Sequence, residues 1–318
     1  MTTQSKKNVP ELTKIAKAIE EALNLPAHRL GKVIAITNQK GGVGKTSTSF
    51  NFAHYLNELG YRVLAVDLDG QGNFTELFFN QDVLAHYIHT PALALFSPGV
   101  ADNFQPLEHP SGIDVLATPR NSHALNEIDT QDISVAQVFF ENLSSIADQY
   151  DFILCDTPPA PGVRTTSACA SADYIFAPVL VDTFAESALE GVVSSIANIG
   201  AILESDLQLT GILINQIVLD GTMDSKRQYE NLAEKIGSPL IPTPIRQSKP
   251  FARAQRQGVP VWHLRTSGAE RQASQETRMA YGEMAMRIPE ISADRVKYFN
   301  DVSRRVREKI AVEAKARG

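Results

Sequence analysis

Lys40-Gly41-Gly42-Val43-Gly44-Lys45-Thr46 decides how this 318-residue chain is read. The run has the form of a phosphate-binding loop with one departure. The usual GxxxxGK[ST] pattern asks for glycine five residues before Gly44, and Gln39 stands there. A second lysine, Lys40, precedes the glycines. Upstream, Lys32-Val33-Ile34-Ala35-Ile36-Thr37 is an apolar run of strand length. Downstream, Ser47 to Leu59 carries Phe50, Ala53, Leu56 and Leu59 at helical spacing and stops at Gly60. Strand, glycine loop, helix is the context a phosphate cradle needs. Glycines let backbone N–H groups point at phosphate oxygens, and the helix N-terminus adds partial positive charge. On this reading Gly41, Gly42, Val43, Gly44, Lys45, Thr46 and Ser47 surround a nucleotide's phosphates. Lys45 reaches the β- and γ-phosphates and the Thr46 hydroxyl ligates Mg²⁺.

Two carboxylates follow at the ends of further apolar runs. Arg62-Val63-Leu64-Ala65-Val66-Asp67-Leu68-Asp69 reads as a buried strand, with Asp69 opening the turn Gly70-Gln71-Gly72-Asn73. Asp151-Phe152-Ile153-Leu154-Cys155-Asp156 reads as another, and with Thr157-Pro158-Pro159 it resembles a Walker B segment. An aspartate closing a strand is ordinarily a turn former or a helix cap. Behind a phosphate-binding loop, Asp156 becomes the candidate second Mg²⁺ holder, acting through water.

KGGVGKT, VDLDGQGN and DTPP, in this order and spacing, resemble the ParA/MinD group of ATPases, and within it the ParA/Soj branch that partitions plasmids and chromosomes. The resemblance spans about Gly31 to Trp262. It implies an α/β fold: a mostly parallel twisted sheet with helices on both faces. It also implies ATP and Mg²⁺ as ligands, with Lys40, Lys45 and Asp69 as the catalytic group. Lys40 would cross to the nucleotide of a partner subunit in an ATP-dependent homodimer, and Asp69 would position the attacking water. Gly70 departs from the family pattern, which usually has proline there. Gly211-Ile212-Leu213-Ile214-Asn215-Gln216 is similar to the strand whose asparagine contacts adenine, and Ile241-Pro242-Thr243-Pro244 to the next adenine-side segment, giving Asn215 and Pro242 as candidates. An asparagine ending a strand is equally a turn residue.

The 43% hydrophobic content suits one large core or two modest ones, and the steady strand/helix alternation favours one α/β domain over residues 31–290, with helical additions at 1–30 and 291–318. No apolar run approaches the roughly 18 to 20 residues that span a bilayer, and the N-terminus lacks a signal-peptide layout. The chain reads as cytoplasmic, and the resemblance implies a bacterial setting associated with the nucleoid. Two cysteines, Cys155 and Cys169, read as packed thiols rather than a disulfide framework, zinc site or cluster. Pro10 to Leu23 places Leu12, Ile15, Ala16, Ile19 and Leu23 on one helical face. That helix is too short for a helix-turn-helix domain, and it either packs on the core or dimer surface or serves as a partner-binding peptide.

Charge is uneven. Residues 246–318 carry 16 basic and 8 acidic side chains, whereas residues 1–245 carry 14 and 28. Basic patches attract phosphate backbones without reading bases, through counterion release. Each arginine also has an ordinary reading as part of a solvated helix face. The resemblance implies that Arg246, Lys249, Arg253 and Arg256 contact nonspecific DNA, and that a ParB-like centromere-binding protein stimulates hydrolysis. From Asp294 onward, Phe299, Val302, Val306 and Ile310 form a narrow apolar stripe beside arginines and lysines. MinD-type relatives use such a segment to bind membranes. Here the stripe lacks tryptophan, and Glu308 and Glu313 interrupt the basic face, which favours packing against the body or a partner and no membrane role. A MinD-like membrane-cycling ATPase is the alternative reading.

Overall fold

The computed structural model describes residues 31–80, 84, 91–182, 185–202, 207–218, 223–297 and 299–300. The amphipathic segment Pro10 to Leu23 and the tail positions Val302, Val306 and Ile310 lie outside the described residues.

Seven strands form one sheet: β1 Lys32–Ile36, β2 Val63–Asp67, β3 Leu107–Glu108, β4 Ile113–Leu116, β5 Phe152–Asp156, β6 Tyr174–Val179 and β7 Gly211–Ile214. Their spatial order is β3-β4-β2-β5-β1-β6-β7. All pairings are parallel except that of the two-residue edge strand β3 with β4. Parallel neighbours need crossover connections. The main ones are the helices α1 Lys45–Glu58, α4 Val135–Ile146, α5 Val163–Ser171 and α6 Ala185–Ile202. Short α2 Asn73–Phe78 and α3 His123–Glu127 lie in the β2–β4 and β4–β5 connections, and α7 Met223–Ile236, α8 Lys249–Arg256 and α9 Gly268–Ala285 follow β7. This is the layered α/β arrangement expected from the sequence.

The central strands are buried on both faces, so they read as continuous apolar runs rather than alternating ones. Ile34, Ile36, Ala65 and Leu154 point into a core shared with Phe50, Phe52 and Leu56 of α1 and with Tyr281 and Met284 of α9. Val33, Leu64, Val66, Ile153 and Cys155 point the other way, against Phe139 and Leu143 of α4. Trp262 is wholly buried beside Tyr55 and Tyr281, and its indole N–H donates to Glu58 at 3.0 Å. Cys155 and Cys169 are both buried and unbridged, as packed thiols should be.

α9 begins with a capping box in which Ser267 and Glu270 each accept the other's backbone N–H. Beyond it Ile288, Ile291 and Val296 join the α1-side core. Phe299 lies against Tyr55, ring centroids 5.2 Å apart, with the Arg278 guanidinium 4.1 Å over its ring. The start of the last basic segment therefore packs against the body. No helix among the described residues is long and apolar enough to cross a membrane.

Register then fixes where chemistry can occur. Asp156 lies beside both Ile36 of β1 and Asp67 of β2, so three adjacent strands end at one level. β1 sits between β5 and β6, and the chain leaves it toward β2 on one side and returns to β6 on the other. In open parallel sheets the crevice at such a switch point is where ligands bind.

Candidate nucleotide and metal site

The loop between β1 and α1 has the backbone its glycines permit. Gly42 and Gly44 adopt φ of +74° and +90°, in the left-handed region. Nothing stands within 4 Å of a side chain built at Gly41 or Gly42, so that side of the loop is open. At Gly44 a Cβ would lie 2.0 Å from Nδ2 of Asn215. Gly44 is the N-cap of α1 and offers no capping side chain, which leaves the helix's first N–H groups available to an anion.

The two lysines diverge. Lys45 is buried and curls back, its Nζ donating to the Lys40 carbonyl at 3.1 Å. Burial lowers its pKa, and the carboxylates of Asp156 and Asp69 oppose that. The Lys40 backbone N–H is held by Asn38 Oδ1 at 2.9 Å, while its partly exposed ammonium pairs with the Asp182 carboxylate of the same chain.

Asp156 is fully buried and bonded on both oxygens: Thr46 Oγ1 donates to Oδ2 at 2.8 Å and Ser49 Oγ to Oδ1 at 2.7 Å. Both sequence-derived metal candidates, Thr46 and Asp156, thus meet directly. Ser49 was not foreseen, although it lies one helical turn beyond Thr46 and on the same face. A hydroxyl, a carboxylate and open space over the loop suit a hard cation that takes its remaining oxygens from phosphates and water. Consistent with that sparse donor set, no cluster of three or more His, Cys, Asp or Glu able to hold a metal occurs among the described residues.

Burial raises the Asp156 pKa to about 6, against the restraint of the Ser49 and Thr46 hydroxyls and Lys45. A carboxylate with a raised folded pKa contributes stability below its unfolded value of 3.8, and loses that contribution as pH rises through about 6. A divalent cation needs the ionised form, so its binding has the opposite pH dependence. Mg²⁺ affinity in the presence of nucleotide should fall about tenfold between pH 7.5 and pH 5. Isothermal titration at the two pH values checks this, and equal affinities would remove Asp156 from the metal site.

The first aspartate of the DxD pair is structural. Asp67 is buried, accepts the Asp69 N–H at 3.1 Å on Oδ1, and takes the Thr75 N–H and hydroxyl at 2.8 and 2.7 Å on Oδ2. Its pKa is raised well above the usual range, first by burial and then by Asp156. Asp69 stands at the mouth of the turn, with Oδ1 accepting the Gln71 N–H at 3.1 Å.

Asn215, at the end of β7, is buried under the loop and donates to the Val43 carbonyl at 2.9 Å, while Gln216 donates to the Gly42 carbonyl at 3.2 Å. Its placement is a brace behind the phosphate loop. Pro242 is exposed in a segment that runs alongside β7, where Ile241 N–H donates to the Ile212 carbonyl and Ile245 N–H to Ile214.

Arg246, Lys249, Arg253 and Arg256 are all exposed. Lys249, Arg253 and Arg256 lie at i, i+4 and i+7 on α8, opposite the buried Phe251 and Ala254. Two of the four are engaged within the chain: Arg246 with Glu276 at 3.3 Å and Arg253 with Glu270 at 2.7 Å. α8 and the turn that follows it are each joined to the loop helix by a contact that sequence spacing does not reveal. Gln255 donates to the Ser47 hydroxyl, and Val261 N–H donates to Asn51 Oδ1 at 3.1 Å.

Comparison with known proteins agrees with this site. An AAA domain profile matches residues 31–209. The sporulation initiation inhibitor protein Soj of Bacillus subtilis is 30% identical over 76% of this chain and 95% of its own length. The chromosome-partitioning ATPase Soj of Thermus thermophilus is 32% identical over 67% and 82%. The chain belongs to the ParA/Soj family of partition ATPases. A plasmid partition protein of Borrelia burgdorferi, solved with AMPPNP, shares the fold with a TM-score of 0.67 at 18% identity, covering 81% of this chain and all of its own. For a ParA/Soj-family chain, the phosphate loop, the DxD turn and the Walker B strand end all lie at one edge of the sheet.

Proposed function

We propose that the protein is an ATP-dependent DNA-partition ATPase. ATP would bind with Mg²⁺ between two copies of the chain, and the dimer would bind nonspecific DNA. Hydrolysis stimulated by a ParB-like centromere-binding protein would release it, segregating or positioning plasmid or chromosomal DNA. The observation that carries this reading is the division of labour between the two loop lysines: Lys45 folds back into the loop, while Lys40 stands at its rim in an exchangeable ion pair with Asp182.

In this reading the backbone N–H groups of Gly41 to Ser47 and the Lys45 ammonium bind and orient the phosphates, and Thr46 with Asp156 holds the cation, which neutralises charge on the transferred group. Asp69 orients the attacking water. Lys40 leaves Asp182 to reach the neighbour's nucleotide. Asn215 and Pro242 remain proposed as the adenine side. Thr157, whose hydroxyl donates to the Ile36 carbonyl at 2.9 Å, and the segment from Pro158 to Thr165 sense loss of the γ-phosphate.

Pairing two chains brings two α8 faces onto one surface, and Gln255 gives the loop helix a direct hold on that face. Arg246, Lys249, Arg253 and Arg256 are the proposed DNA contacts, acting on phosphates rather than bases. Nonspecific duplex binding should therefore require ATP, be weak with ADP or no nucleotide, and fall steeply as salt is raised. Fluorescence anisotropy across a salt series with each nucleotide state tests this. Binding that ignores nucleotide, or ATP-dependent binding to liposomes instead of DNA, would overturn the proposal.

A further inference from the structure

The switch segment after Asp156 contains a buried arginine that the reaction scheme above does not use. Arg164, in the first turn of α5, is 5% exposed. Its guanidinium holds Asp129 through Nε at 3.1 Å and Nη2 at 2.6 Å. Nη1 reaches two further acceptors: Asn126 Oδ1 at 2.9 Å and the Leu68 carbonyl at 3.1 Å. Leu68 immediately precedes Asp69, and its own N–H donates to the Asp156 carbonyl at 3.0 Å. One planar cation therefore bridges the α3 region, the turn that presents Asp69 and the helix that follows the Walker B strand.

The surroundings are shaped to this bridge. Asp129 Oδ1 accepts the Arg164 backbone N–H at 3.0 Å, so the carboxylate also caps the positive end of α5. A side chain at Gly162 would place its Cβ 2.5 Å from Asp129 Cγ. A side chain at Gly70 would put its Cβ 2.1 Å from Asn126 Oδ1. Gly70 is thus the residue that lets Asn126 approach the turn, and its carbonyl accepts the Ser122 N–H at 2.7 Å. A ring at position 70 would stiffen the turn through its own backbone; here α3 and Arg164 hold it from outside.

We propose that Arg164 is a positioning residue for ATP hydrolysis, holding the turn of Asp69 in register with the start of α5 through Asp129, Asn126 and the Leu68 carbonyl. This rests on the reading of the chain as an ATPase. Nε and Nη2 converge on Asp129 Oδ2 while Oδ1 takes the Arg164 backbone N–H, and the planar guanidinium fixes the direction of its remaining donors, so movement of α5 is passed to the Leu68 carbonyl and hence to Asp69. Orientation of a reacting water is sensitive to such shifts, whereas the phosphate loop that binds ATP makes no contact with Arg164 among its hydrogen bonds above.

The test compares wild type with Arg164→Met and Asn126→Ala. The second variant leaves the Arg164–Asp129 pair intact and serves if the first does not fold. Steady-state ATPase assays should give kcat lower by about tenfold in the first and about threefold in the second, with KM for ATP within about twofold. Hydrogen exchange on the nucleotide-free proteins should show faster exchange at the Gln71 and Gly72 amides and unchanged exchange in β5. A folded variant with wild-type kcat and wild-type loop exchange overturns the proposal, as does a parallel rise in KM, which would make Arg164 part of ATP binding. If wild type itself does not hydrolyse ATP, the ATPase reading fails, and the exchange experiment still decides whether Arg164 holds the turn.

Discussion

Replacing Lys45 by alanine is expected to abolish ATP binding and, with it, all ATP-dependent DNA binding. The ammonium is buried against the loop, 3.1 Å from the Lys40 carbonyl, with Asp156 and Asp69 near enough to oppose the fall in its pKa that burial causes. Without it, the carboxylates of Asp69 and Asp156 would face the triphosphate with one fewer compensating charge. Removing one charge-assisted contact to a phosphate in a water-poor site costs about 3 to 4 kcal/mol, or about 10²- to 10³-fold in affinity. The loss should be complete at ordinary ATP concentrations, measured with a fluorescent ATP analogue and by DNA anisotropy on the same sample. Circular dichroism should stay unchanged, since the side chain's hydrogen bond to the Lys40 carbonyl closes only a local loop. Full ATP-dependent DNA binding by this variant would sink the proposed function.

Asp69→Ala should do the reverse: bind ATP, dimerise and remain locked on DNA. Asp69 sits at the mouth of its turn, and among the described residues its side chain accepts one hydrogen bond, from the Gln71 N–H at 3.1 Å. The neighbouring fixture is Asp67, whose three hydrogen bonds to Asp69 N–H and Thr75 survive the substitution. Loss of the group that orients the attacking water should lower kcat by about 10² to 10⁴, with little effect on the dissociation constant for ATP. Dissociation from DNA after an ADP chase, followed by anisotropy, should slow in proportion. A variant that hydrolyses normally would move the role to another residue of the turn.

These two expectations use residues that could be named from the sequence, and the reason is local. The β1 run, the glycines and the α1 spacing lie within thirty consecutive positions, and each follows from a short-range rule: apolar strand length, left-handed glycine, helical period. Asp156 was legible because it ends an apolar run, and parallel register sets it beside Asp67, the end of β2, with Asp69 two residues beyond. The Arg164 bridge was not legible. Its partners Asp129, Asn126 and Leu68 lie 35, 38 and 96 positions away, and nothing in their spacing announces the contact. Gln255 and Ser47 are 208 positions apart and equally silent. The charge imbalance in residues 246–318 pointed to a basic surface but could not show that Arg246 and Arg253 are already matched to Glu276 and Glu270. Asn215 was recognisable as the end of a strand, while its hold on the Val43 carbonyl depends on how β7 meets the loop.

The pairing of Lys40 with Asp182 gives the solitary subunit a rival for its own outreach. Both side chains are about one-third open to solvent, at 30% and 35%, so separating them costs roughly 0 to 1 kcal/mol. In the proposed dimer a neighbour's triphosphate would compete easily with that tether, whereas an empty or ADP-bound neighbour would not. In the proposed scheme so weak a tie would hold the amine at the loop rim of a single subunit while adding little to the cost of association once ATP binds.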